Sequence, residues 1–216
     1  MVAPKTFIGN HNAATDENVK DSLRFAAISL ILADLLTPKL MLPAGDLWTI
    51  LCLRLVVNVL ALVLGAVAIL AAWRILGQRA PFSQHLITYV YYSIPAILII
   101  VLFNAVGFGI LYAYDPQGAA QYIEINRFPA NPFSFQSQKG LSAIFARARI
   151  PFIAMTVIGN LGLCASLLWM FLSWGAFRNI FGATRRRSFF VSLLAFMLVF
   201  PLGVAFLFLM KSLDLL

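Results

Sequence analysis

The sequence predicts an all-α fold: a polytopic transmembrane helical bundle of five spans, N-terminus inside and C-terminus outside. Three observations predict it. The stretches 55–73, 85–114, 150–177 and 188–210 carry no formally charged side chain. Each is as long as the roughly 18 to 25 apolar residues that match a bilayer core about 30 Å thick. Of 216 residues, 62% are hydrophobic and 11% charged, with a mean hydropathy of +0.90, whereas soluble domains are about 45–50% apolar and about 25% charged. The apolar runs are also continuous rather than alternating. That disfavours a membrane β-barrel and leaves helices, which pair their backbone polar groups within each span.

The residues 1–23 form a polar cytoplasmic arm, with Lys5, Lys20 and, just beyond it, Arg24 set against Asp16, Glu17 and Asp21. A cleavable signal would place an apolar stretch there, so the arm reads as disordered or loosely helical. The membrane domain covers 24–213. Its first span, 24–41, is the weakest: Asp34, Pro38 and Lys39 interrupt it, and an interfacial or re-entrant segment is the alternative to a crossing. The second span, 47–73, contains Arg54 and Asn58, and the third, fourth and fifth cover 85–114, 150–177 and 188–210.

Charge sets the orientation. Arg74 and Arg79 follow the second span; Arg178, Arg185, Arg186 and Arg187 follow the fourth. Both connections are expected in the cytoplasm, where Lys and Arg accumulate. The external loop, 115–149, holds both signs, with Asp115 and Glu124 against Arg127, Lys139, Arg147 and Arg149. Asp115-Pro116, Pro129 and Asn131-Pro132 are turn signals within it. Leu141, Ile144, Phe145 and Ala148 then repeat at helical spacing, which reads either as a short amphipathic helix on the outer leaflet or as an extension of the fourth span. Trp48, Trp73, Tyr112, Tyr114, Trp174 and Phe177 fall near the expected interfaces, where amphipathic rings gather.

Ionisable groups at membrane depth are functional candidates because burying them is costly. Two qualify, Asp34 and Arg54. In an antiparallel hairpin turning at Pro43-Ala44-Gly45, both sit roughly 13 Å from the turn at about 1.5 Å per residue. An ion pair that orients the hairpin is expected, with a role in moving ions or headgroups as the alternative. Asn58, Asn104 and Asn160 are expected to hydrogen-bond between helices. Ala61 with Gly65, and Ala105 with Gly109, are spaced for close helix approach, and Pro95 and Pro201 predict kinks. Cys52 and Cys164 lie in apolar runs as small buried residues, outside any metal-ligand spacing.

Little points to chemistry. The histidines are His11 and His85, one in the arm and one at an interface. No HExxH, GxSxG or phosphate-cradling loop occurs, so no catalytic residue, cofactor or metal is expected. The net charge of +8 clusters at helix ends, where topology and anionic headgroups account for it. No nucleic-acid module is present, and nucleic acid is not an expected partner.

Gly77, Ala80 with Phe82, Gln84, and Tyr92 shortly before Pro95 give the segment 77–95 a pattern that resembles the start of the central helices in YIP-domain proteins. These are membrane proteins named for interaction with Ypt/Rab GTPases, and they also occur in bacteria. The five-span topology and the ending, a tryptophan-bearing span, a basic turn and a final apolar helix, are similar over about residues 25–213. The eukaryotic motif Asp-Leu-x-Gly-Pro is not matched, since Asp34-Leu35-Leu36-Thr37-Pro38 lacks the glycine. The long cytoplasmic region of those members also has no counterpart here. The resemblance therefore implies the bacterial inner-membrane type, without GTPase binding or a Golgi location. It implies a non-enzymatic scaffold or complex subunit that organises lipids or partner proteins, with membrane lipids and other membrane proteins or further copies as partners. The basic residues Arg178, Arg185, Arg186 and Arg187 are the candidates for headgroup or partner contact. The competing expectation is a small transporter, channel or lipid-moving subunit built around Asp34, Arg54 and the asparagines, with no broken repeat pair of the kind that marks secondary transporters.

Overall fold

Thr15 starts the first long helix. Its extended backbone and its hydroxyl, which accepts the Asn18 N–H at 3.3 Å, cap a helix whose first turn holds Asp16 and Glu17, the placement that suits a helix dipole. The computed structural model describes residues 4–11, 13–37, 47–126 and 135–212. Within these it is all helical: α1 (Pro4–Asn10), α2 (Asp16–Leu35), α3 (Leu47–Ile75), α4 (Phe82–Tyr114), α5 (Pro116–Asn126), α6 (Phe135–Arg147), α7 (Arg149–Ile180) and α8 (Arg185–Ser212).

Three segments are long and apolar enough to cross a membrane: Leu51–Ile75 in α3, and the whole of α4 and α7. They correspond to the expected second, third and fourth spans. The expected first span differs: α2 begins at Asp16 rather than 24, and its first half is charged, which keeps it out of that class. The end of that span and the turn at 43–45 lie outside the described residues. The expected fifth span falls within α8, which is helical through Pro201 but is not one of these three segments.

Two tight turns set the antiparallel order at one end of the bundle. After α3, Gly77 (φ 83°) is left-handed, with its N–H on the Arg74 carbonyl and the Gln78 N–H on the Trp73 carbonyl. After α7, Gly182 (φ 57°) does the same, its N–H on Asn179 and that of Ala183 on Arg178. This double-bonded glycine stop places its left-handed residue where a side chain is disfavoured. Both turns lie at the basic end, which carries Arg74, Arg79, Arg178 and Arg185–Arg187. The guanidinium of Arg187 lies 2.9 Å from where a Gly77 Cβ would be, so the turns adjoin.

The largest interface joins α4 to α7. It depends on glycines that let the backbones close: a Cβ on Gly107 would meet the Met155 backbone at 3.0 Å, and one on Gly162 would strike Phe103. The expected Ala105/Gly109 pair is corrected here, because Gly109 faces open space while Gly107 makes the contact. Ala61/Gly65 stands differently, since Gly65 of α3 makes room for the Tyr89 ring. Ala26 and Leu30 of α2 pack with Leu62, Ala66, Val90 and Ile94 of α3 and α4. At Pro95, which leaves the Tyr91 carbonyl without its helical donor, the Trp169 indole of α7 donates to the neighbouring Tyr92 carbonyl at 3.1 Å.

Three further expectations are corrected. The arm is not loose: α1 docks at the basic end, where Ile8 is buried with Ile87, Tyr91 and Ala176. Trp73 and Phe177, expected among rings facing the headgroups, are packed inside the bundle at 0% exposed, whereas Trp48 and Tyr114 are 74% and 77% exposed. Cys52 and Cys164 are exposed rather than buried. An exposed site on an apolar span looks like a buried one in composition, because hydrocarbon accepts the same side chains as a core.

Of the two readings of 141–148, the structure has a separate helix: α6 ends at a break on Ala148 (φ −129°) before α7. It does not lie free, since Ile144 and Ala148 are buried against Phe108, Leu111, Ala119 and Met155. Asp115 organises this end. Its carboxylate accepts the Gly118 N–H at 2.9 Å, capping α5 ahead of Pro116, and pairs with Arg147 of α6 at 3.1 Å.

Candidate functional site

Two groups of polar residues and two cavities compete as the site. Asp34, near the end of α2, is buried, and Asn58 of α3 donates through Nδ2 to both of its carboxyl oxygens, at 3.1 and 3.3 Å. The expected Asp34–Arg54 ion pair is not formed; among the described residues the ion pairs are Arg24–Asp21 and Arg147–Asp115. Arg54 and Asn58 stand one helical turn apart on α3, and the packing of α2 brings the second of them opposite Asp34. Arg54 Nη1 is left buried without a hydrogen-bond partner.

Asn104 and Asn160 do not join this group. Each amide donates to its own helix, Asn104 to the Ile100 carbonyl and Asn160 to the Thr156 carbonyl, both at 2.8 Å. Both are exposed and line a cavity of about 450 Å³ between α4, α5, α6 and α7, away from the basic end, together with Tyr122 and Met155. Burial pushes the Tyr122 phenol above its usual range. The interhelical hydrogen bonds expected of the asparagines are thus made by Asn58 alone of the three.

The larger cavity is a cleft of about 930 Å³ at the basic end, between α7 and α8, with α3 and α4 as its floor. Its shape follows from the helix contacts. α7 packs along α4, α8 packs along α3, and α7 and α8 touch little beyond their turn. The hairpin is therefore splayed. Among the described residues, one side-chain hydrogen bond crosses it, from Trp174 Nε1 to Ser188 Oγ at 2.9 Å. Aromatic rings form the floor: Tyr92 meets Trp174 edge-on at 5.9 Å, and Trp73 stacks behind Trp174 at 6.5 Å. Leu167, Phe171, Phe189 and Phe196 line the cleft and are exposed, so its walls continue into the outer apolar surface.

Of the four arginines expected to contact headgroups or a partner, Arg178 and Arg185 line the cleft, while Arg187 turns toward Gly77 and Arg186 is exposed outside it. Sequence reasoning missed Tyr89, Tyr92, Trp174 and Ser188. A partial signal was present: Tyr89 and Tyr92 are spaced three residues apart, as are Trp174 and Phe177 just before the basic turn. Deeper at this end His85 is fully buried, stacked on Phe181 at 4.5 Å, with Nδ1–H donating to the Pro81 carbonyl at 3.1 Å. Its Nε2 and the Trp73 indole nitrogen are both buried without partners. Among the described residues, no three His, Cys, Asp or Glu side chains gather as a metal site. No family model, curated protein or solved structure matches this chain.

Proposed function

We propose that this chain is a non-enzymatic integral membrane protein of the YIP-like bacterial type, a scaffold or complex subunit that organises lipids or partner proteins in the inner membrane. In this reading five segments cross: the first begins in α2, and α3, α4, α7 and α8 follow. The basic end and the N-terminal arm face the cytoplasm, as the arginine asymmetry requires. α5 and α6 face outward.

The observation that carries the reading is the splayed α7–α8 hairpin. Water-soluble ligand sites are concave and enclosed, whereas this cleft opens sideways between apolar walls that merge with the exposed apolar surface. A molecule reaching it from the side travels through lipid. Isolation in polymer-bounded native membrane discs, followed by exchange into detergent, tests the proposal. A small fixed number of lipids per chain, or a stoichiometric protein partner, should survive the exchange. A chain that emerges lipid-free and partner-free with unchanged unfolding temperature contradicts it.

The second reading, a transporter or lipid-moving subunit, is favoured by one observation: Arg54 Nη1 is buried and unpaired beside the Asp34–Asn58 contact. A proteoliposome flux that Arg54→Leu abolishes in a folded chain would support it over the scaffold.

A further inference from the structure

Building on the lipid-organising reading, we propose that the α7–α8 cleft binds one anionic phospholipid of the basic-end leaflet. Its phosphate sits between Arg178 and Arg185, and an acyl chain lies against Tyr92, Trp174 and Phe196.

Length is the first argument. The cleft runs along α8 from Arg185 to Val199 and along α7 from Arg178 to Leu167, about 21 Å and about 16 Å at 1.5 Å per residue. Half of a hydrocarbon core about 30 Å thick is about 15 Å. The cleft therefore reaches from the headgroup level to the bilayer centre and stops, which is the extent of one lipid in one leaflet. A cleft spanning both leaflets would suit a pore instead.

Charge is the second. The two arginines at its mouth have no carboxylate partner among the described residues, and the sequence holds no Asp or Glu between Glu124 and Asp214. A phosphate there meets two positive groups and no negative one from either helix of the cleft. Guanidinium groups bind phosphate through paired, geometrically matched donors. The N-terminus of α8 adds to the same field: Thr184 caps it, its hydroxyl accepting the Arg187 N–H at 3.3 Å, and Arg185 is its first residue, so the positive end of the helix dipole lies at the cleft mouth.

Position within the cleft is the third. Ser188 lies one turn below Arg185, is buried and lines the cleft, and accepts the Trp174 indole N–H. Its own hydroxyl proton is left to donate to a phosphate or ester oxygen. Below that level the lining is mainly apolar, its polar atoms being the phenols of Tyr89 and Tyr92 and the hydroxyl of Ser192, which already donates to the Phe189 carbonyl at 2.7 Å. Polar contacts at the mouth and hydrocarbon beneath match the two ends of a phospholipid.

The test uses the full chain in neutral detergent, titrated with dioleoyl phosphatidylglycerol or dioleoyl phosphatidylcholine and read by native mass spectrometry. One phosphatidylglycerol should be retained per chain, preferred over phosphatidylcholine by about tenfold to thirtyfold, since each arginine near a headgroup contributes about fivefold. Arg178→Gln and Arg185→Gln should each remove about fivefold of that preference. Arg186→Gln should leave it intact, and Ser192→Trp, which fills the cleft, should lower retention of both lipids. Equal retention of the two lipids by the unaltered chain overturns the headgroup assignment while leaving the lipid-organising reading standing. Preference that survives both cleft arginine variants places the lipid elsewhere. The comparison on the unaltered chain decides the matter even where a variant fails to fold.

Discussion

Replacing Asn58 by leucine removes the donor that the buried Asp34 carboxyl relies on, and the cost can be worked from the geometry. One amide nitrogen reaches both oxygens, at 3.1 and 3.3 Å, so the contact counts as about one hydrogen bond, not two. A buried polar group that loses its partner costs about 1–3 kcal/mol, and polar contacts between membrane helices measured by double-mutant cycles average about 0.6 and reach about 1.7 kcal/mol. Asn58→Leu should therefore destabilise the chain by about 1–3 kcal/mol, with a coupling to Asp34→Leu of about 1 kcal/mol. The matching cycle of Asp34→Leu with Arg54→Leu should show a smaller coupling, because the guanidinium acts on the carboxylate by charge at close range but makes no ion-pair contact with it. The assay is equilibrium unfolding in mixed micelles with tryptophan fluorescence as the probe, since Trp73 is fully buried. A larger coupling for Asp34 with Arg54 than for Asp34 with Asn58 would refute this account of the α2–α3 contact.

Other substitutions test the packing. Gly162→Ala sets a Cβ against Phe103 and should cost about 1–3 kcal/mol in the same unfolding assay, whereas Gly109→Ala, with open space around it, should be neutral or stabilising by up to about 1 kcal/mol. Asp115→Ala removes both the α5 cap and the Arg147 pair; it should cost about 1–2 kcal/mol and speed hydrogen exchange in α5 more than in α4. Trp169→Phe loses the bond to the Tyr92 carbonyl beside Pro95 and should cost about 0.5–1.5 kcal/mol, again by unfolding in micelles.

What the sequence made legible was that α3, α4 and α7 are long and apolar enough to cross a membrane, and where each of those apolar runs begins and ends. The ends of α3, α4 and α7 fall within a few residues of the expected spans because charged residues and turn glycines mark them chemically. The rotation of each helix was not legible. In water one face of a helix is polar, so periodicity reports which side is buried; in a bilayer both sides are apolar. Trp73 and Trp48 therefore looked alike, Gly107 could not be told from Gly109, and Asp34 was matched to Arg54 by depth when rotation brought Asn58 to it. Ile8 in a polar arm gave no hint that α1 docks. The cleft was hidden for a related reason, since it depends on α7 and α8 leaning on different partners, which no local pattern in either helix records.

The claim beneath all of this is that hydrocarbon surrounds the exposed faces of α3 and α7. Nitroxide labels on Cys52 and Cys164, both exposed, read that environment directly by electron paramagnetic resonance in liposomes. The account predicts strong relaxation by lipid-soluble oxygen and weak relaxation by a water-soluble nickel chelate at both positions. Relaxation by the nickel chelate at both, as fast as at a solvent-exposed surface site, would contradict it.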